Sequence, residues 1–164
     1  MVGGFVLDER EMTEKVDLCL ADGRLNPDAV GWSRSPLHRC NLSGRWPRKK
    51  RWNYWAVTSE SHLFSVTISD VDYIGLVFVY VADFEKDIFN EMTQLLPLGR
   101  GCDLPDTVDA GVNYDGKGLR VEMAQRDGGV DLEVAIDDFE GQPLLAQFTI
   151  TSPPDHETLN VVIP

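Results

Sequence analysis

The chain has 164 residues, 43% of them hydrophobic and 26% charged, with a net charge of −12. That suits one globular domain large enough to bury a core without staples, and it argues against general affinity for nucleic acid or anionic membranes. Three scattered cysteines (Cys19, Cys40, Cys102) with no CxxC pair make neither a disulfide framework nor a zinc knuckle.

Along the chain, Met1 to Leu7 is apolar but too short for a signal segment, and acids follow it directly. Val16 to Leu20, followed by Ala21-Asp22-Gly23, predicts a short strand and turn. Trp52 to Thr58, Leu63 to Ser69 and Tyr73 to Val81 are rich in aromatic and β-branched residues and predict three strands separated by short turns. The third is apolar on both faces, the pattern of a fully covered strand, and Tyr73 to Ala82 is about half a membrane span. Phe84, Ile88, Phe89, Met92, Leu95 and Leu96 fit a helical stripe, while Phe89, Glu91, Thr93 and Leu95 fit a strand. The surrounding meander favours the strand. After an irregular Gly/Pro stretch, Leu119 to Met123, Val130 to Ile136 and Leu144 to Ile150 alternate clearly. Arg126-Asp127-Gly128-Gly129 and Gly141-Gln142-Pro143 supply their turns. Leu159 to Ile163 reads as a last strand. The fold class expected is all-β, an antiparallel meander closing into a barrel or sandwich, and the cell compartment expected is the cytoplasm.

Charge and aromatic residues are unevenly placed. All four tryptophans lie between Trp32 and Trp55, and Gly31 to Ser59 holds seven Lys or Arg residues and no acid. Within it Arg45 to Arg51, flanked by Trp46 and Trp52, has the composition to contact phosphates and stack on bases. The competing reading makes most of the indoles core and lets the cations balance the acidic body or pack over rings. Gly111-x4-Gly116-Lys117 approaches a phosphate loop, but Gly118 replaces the magnesium-holding hydroxyl and a strand follows, so it reads as a turn. The three histidines, His38, His62 and His156, lack metal-site spacing, and the acidic loops lack the calcium-loop pattern. Neither a metal nor a cofactor is expected. His156-Glu157, at the entry to the last strand, has the composition of a tuned acid or base, although such residues more often organise a turn through hydrogen bonds.

Gly31-Trp32-Ser33-Arg34 with Pro36-Leu37-His38, Arg48-Lys49-Lys50-Arg51-Trp52-Asn53-Tyr54-Trp55, Pro97-Leu98-Gly99-Arg100-Gly101 and His156-Glu157-Thr158-Leu159-Asn160-Val161-Val162 carry a resemblance across almost the whole chain. The chain resembles the bacterial family of domain of unknown function 2804, and in particular its N-terminal half. The resemblance implies one β domain over 1–164 that belongs to a longer architecture. The family is similar in pattern to lipocalin-like double-barrel proteins such as carotenoid hydratases and tocopherol cyclases. That analogy implies a lipocalin-like barrel, or half of a double barrel, with an apolar interior suited to a lipid or isoprenoid.

The function expected is therefore binding of a small hydrophobic ligand. Trp32, Trp52, Tyr54, Trp55 and Phe78 are the candidate aromatic lining, and Arg34, Arg51 and Arg100 the candidate headgroup contacts. His38 and His156, with Tyr54 or Glu157, are the candidates for proton transfer. Two alternatives are an interaction module that pairs with a second β domain or with itself, and local polyanion binding by 45–51. Neither nucleic-acid binding nor membrane insertion is expected.

Overall fold

The computed structural model describes residues 10–44 and 46–163. From Arg51 to Thr151, runs rich in β-branched, aromatic and alternating apolar side chains form the longer strands, while the other strands are two or three residues each. In chain order they are β1 (Val16–Asp17), β2 (Gly31–Ser33), β3 (His38–Arg39), β4 (Arg51–Thr58), β5 (His62–Asp70), β6 (Ile74–Asp83), β7 (Ile88–Pro97), β8 (Val112–Gly116), β9 (Leu119–Arg126), β10 (Gly129–Phe139), β11 (Gln142–Thr151) and β12 (Asn160–Val162). Among the described residues there is one 3-10 turn, Pro27–Ala29, capped by Asn26, whose side chain accepts the Asp28 N–H. No described helix is long and apolar enough to cross a membrane. The apolar run Met1 to Leu7 lies outside the described residues.

The strands fall into two compact units. One gathers the described residues up to Gly44, Asp106–Val108 and those from Pro154 onward. Here β2 pairs antiparallel with β12, Val161 standing opposite Trp32, and a bridge joins Trp32 to Glu11 on its other side. Gly31 lies at φ 143°, where a β-carbon would collide with the Arg10 carbonyl, so only glycine lets the segment from Arg10 approach so closely. β1 pairs parallel with β3, and the Asn41 side chain then continues their pairing. It accepts from the Cys19 N–H at 2.8 Å and donates to the Cys19 carbonyl at 2.9 Å.

The other unit, from 45–105 and 109–153, holds two four-stranded antiparallel meanders, ordered β4-β5-β6-β7 and β11-β10-β9-β8. Hairpin links set this order, as turn residues between alternating runs require. The two sheets share one core. Phe64, Val66, Ile68, Val77 and Val79 of the first meet Val121, Met123, Leu132, Val134 and Ile136 of the second. Phe64 also packs on Phe148 with ring centroids 5.1 Å apart. Between β7 and β8 the link is polar: the Tyr114 hydroxyl donates to Gln94 Oε1 at 2.7 Å, and Gln94 Nε2 donates to the Lys117 carbonyl at 2.7 Å. No ladder joins the two sheets among the described residues.

The predicted strands from Trp52 onward form as read, and the ambiguous segment is the strand β7 rather than a helix. One expectation is corrected. The strand buried on both faces is β5, not β6, because β5 carries small hydroxyl side chains on its second face and the larger residues of β4 and β6 stand higher on either side of them. Gly116 ends β8, and Lys117-Gly118 turns the chain into β9, so the near phosphate loop is a turn.

Candidate functional site

The outer faces of the two sheets differ in kind. On the β8–β11 sheet the outward residues of β9 and β10 are mostly charged, with ion pairs across the two strands, while β11 adds Leu145, Gln147, Thr149 and Thr151. Arg120 meets Glu133 at 2.9 Å, Gln147 donates to the same carboxylate at 2.7 Å, and Arg126 meets Asp131 at 3.2 Å. Solvent accounts for such a face. On the β4–β7 sheet the register sets Trp52, Ser69, Leu76 and Leu95 in one outward row. Tyr54, Thr67, Phe78 and Thr93 form the next, and Ala56, Ser65, Tyr80 and Glu91 the third.

Down the middle of this second face, β5 presents only short side chains, Ser65, Thr67 and Ser69, while β4 and β6 raise aromatic walls beside them. The result is a trough of ≈ 280 Å³ lined by Trp52, Tyr54, Thr67, Ser69 and Phe78. Trp52 is 64% exposed and Tyr54 48%, large values for aromatic residues, and both stand on the edge strand β4. Phe78 and Tyr80 stack 6.4 Å apart, and Phe89 tilts against Tyr80 at 5.4 Å. The Tyr54 and Tyr80 hydroxyls meet at 3.2 Å, bridging the trough above Ser65.

The polar groups in the floor are incompletely used. The hydroxyls of Ser65 and Thr67 are buried and have no hydrogen-bond partner among the described residues. Ser65 faces the phenols without the geometry of a formed bond, yet its proximity is the first cause, and Tyr54 the second, of a lowered Tyr80 pKa. Tyr54 is pushed up, chiefly by its bond to Tyr80 and then by burial.

The structure divides the residues singled out from the sequence. Trp52, Tyr54 and Phe78 converge on the trough. Trp55, an odd number of positions from Trp52, points to the opposite face and packs against the core. The expectation that most indoles are core is thereby corrected. Trp55 reaches the core, whereas Trp46 and Trp52 are exposed and Trp32 is half-buried. Arg51 donates to the Pro105 carbonyl, and Arg100 is exposed on the loop after β7. Arg45 lies outside the described residues.

The remaining candidates belong to the other unit. Arg34 pairs with Glu11 at 3.0 Å and Glu157 at 2.9 Å, with its guanidinium 5.1 Å from the Trp32 ring centroid. Those carboxylates raise the Arg34 pKa, Glu157 more than Glu11. His38 is held by the Ala29 carbonyl, 3.0 Å from its Nε2, and His156 is exposed. Glu157 thus fastens the segment before β12 to Arg34, which is a structural task. Among the described residues no group of three His, Cys, Asp or Glu is placed to hold a metal ion.

Ser65, Thr67, Ser69 and Tyr80 escaped the sequence reading. Their signal was present: hydroxyl residues at every second position of one strand, between strands whose matching positions are aromatic except at Ala56 and Leu76.

Fold and face together define an all-β protein built on two packed antiparallel meanders, with one charged outer face and one aromatic outer face. A family model described as "Domain of unknown function (DUF2804)" matches residues 9–164, and the chain belongs to that family. No curated protein and no solved structure matches it.

Proposed function

We propose that the chain is a binding domain for a small hydrophobic ligand, a slender acyl- or isoprenoid-like molecule lying along β5 between Trp52, Tyr54 and Phe78. The observation that carries this reading is the contrast between the two outer faces: cross-strand ion pairs on one, a trough of exposed aromatics with unpartnered hydroxyls on the other. The space between the sheets is filled by side chains of near-zero exposure, so a ligand has room only on an outer face. The charged face has a larger concavity, ≈ 410 Å³, but Glu122, Asp131 and Glu133 line it, whereas aromatic rings line the trough. In this proposal the sheet is one wall of a lipocalin-like enclosure. Unlike a hollow barrel, it holds the ligand on the face turned away from its own core.

Filling the trough tests the idea. Thr67→Phe places a ring where the ligand would lie, on the side of β5 away from the core. Titration with a fluorescent fatty acid is expected to saturate with the native chain and to weaken about tenfold or more in the variant, the loss of roughly one buried hydrophobic contact. Far-UV circular dichroism reports whether the sheet survives. Equal binding by both folded proteins would remove the proposal.

A second reading makes the same face an interface with a second β domain or another copy. Phe89 and Leu95, exposed on the edge strand β7 beyond the trough walls, favour it. Sedimentation equilibrium of the ligand-free chain separates the two, since this reading predicts association that Phe89→Glu or Leu95→Glu abolishes. A proton-transfer role for His38, His156, Glu157 or Tyr54 is a weaker proposal. His38 and Glu157 are engaged by Ala29 and Arg34, and of the four Tyr54 stands in the trough.

A further inference from the structure

One end of the β4–β7 sheet combines exposed aromatic and aliphatic side chains with outward-facing cations. The segment before β4, the β5–β6 turn and the loop after β7 meet there. The Lys49 N–H donates to Asp72 at 2.9 Å, Arg51 stands opposite Asp70, and the Leu98 N–H donates to the Tyr73 carbonyl at 3.1 Å. A β-carbon on Gly99 would touch the Asp70 carboxylate, so the loop after β7 lies directly against that turn. From this end project Trp46, 65% exposed, and Leu98, 58% exposed, together with Tyr73, Trp52 and Leu95.

The charges at this end are sorted by sign. Asp72 is the most enclosed, its side chain 5% exposed and paired with the Lys49 ammonium at 3.2 Å. Asp70 is half-buried and accepts the Asp72 N–H at 2.9 Å. Arg48, Lys50 and Arg100 are exposed, with Asp103 an exposed acid on the same loop as Arg100. The outermost layer is therefore net positive on a chain of net −12.

We propose that this end docks on an anionic lipid surface, with Trp46, Tyr73 and Leu98 entering the headgroup region and Arg48, Lys50 and Arg100 meeting the lipid phosphates. Indoles and phenols suit the membrane–water interface because one end of each ring is apolar and the other polar. Leu95 and Leu98 favour lipid over nucleic acid, since aliphatic side chains gain from acyl surroundings and offer bases no stacking plane. The acidic remainder of the chain is repelled by the same surface, which leaves this end as the one able to approach it. The inference stands apart from the trough reading, although Trp52 belongs to both places.

Cosedimentation of the full chain with phosphatidylcholine vesicles, with and without phosphatidylglycerol, tests it. Binding is expected on the mixed vesicles and is expected to fall steeply with salt. Each cation near such a surface contributes about fivefold, so reversing all three (Arg48→Glu, Lys50→Glu, Arg100→Glu) is expected to weaken binding by about a hundredfold or more. Because these side chains are exposed, the variant is expected to keep its circular dichroism. Trp46→Ser, in an otherwise native chain, is a second variant expected to weaken binding with every charge intact. Equal binding to both vesicle types, no binding to either, or no loss on charge reversal would each overturn the proposal. So would a single-stranded oligonucleotide that displaces the vesicles at equal phosphate concentration, by making this end a nucleic-acid surface.

Discussion

Thr67 shows how a site and a stability defect coincide in one side chain. Its hydroxyl is buried without a partner among the described residues, on a strand whose opposite face is core. An unsatisfied buried hydroxyl costs about 1–3 kcal/mol. Thr67→Val keeps the shape and removes the polar atom, so urea unfolding should show equal or higher stability, while affinity for a ligand bearing a hydroxyl or carboxyl should fall. A loss of stability would mean the hydroxyl is bonded after all. Cys102 makes a different prediction. Burial pushes its thiol pKa up, and the nearby Asp70 adds to the shift. The folded state therefore holds the proton longer than the unfolded chain does. That contribution is complete below the unfolded thiol value, about 8.5, and is lost as pH rises from there toward the folded value. The melting temperature of the native chain should thus decline more steeply above about pH 8.5 than that of Cys102→Ala. Parallel declines would contradict it.

Elements in this protein are decided by parity. In β9 and β10 one set of alternate positions is apolar and the other mostly charged, and in β11 Leu144, Ala146, Phe148 and Ile150 alternate with mostly polar residues, so the strands and their buried faces were legible in the sequence. In β4 both sets carry large apolar residues. Trp52 with Tyr54 and Trp55 with Val57 are equally plausible as the inward pair, and period-two alternation fixes only that the two pairs are opposed. Which pair faces the core depends on the second sheet, and no local pattern reports that. β7 was ambiguous for a related reason, because its apolar residues fit two periods until β6 supplies a ladder. The trough was half legible: its aromatic walls stood out, while its serine and threonine floor resembled an ordinary wet face. The two sides of the packed sheets should respond very differently to truncation. Leu132→Ala, deep between the sheets, should cost about 2–5 kcal/mol. Arg120→Ala on the charged outer face should cost less than about 1 kcal/mol. Chemical denaturation of both variants checks the contrast, and similar costs would mean that the shared core is not what holds the unit together.

For the molecule as a whole, the uneven distribution of charge and aromatic residues has a structural counterpart. The basic, tryptophan-rich stretch supplies one core indole (Trp55), one wall of the trough (Trp52 and Tyr54), and the cations at one end of the same sheet. The family model is described as a domain of unknown function, and the two outer faces carry the functional reading. The central claim is that the aromatic outer face of the β4–β7 sheet holds a small apolar molecule. Native mass spectrometry of gently purified protein tests this most directly, because one spectrum reports both bound mass and assembly state. The account predicts a monomer carrying one small apolar adduct, lost on organic extraction and absent from Thr67→Phe. A clean apo dimer in both proteins would contradict it and make that face a partner surface.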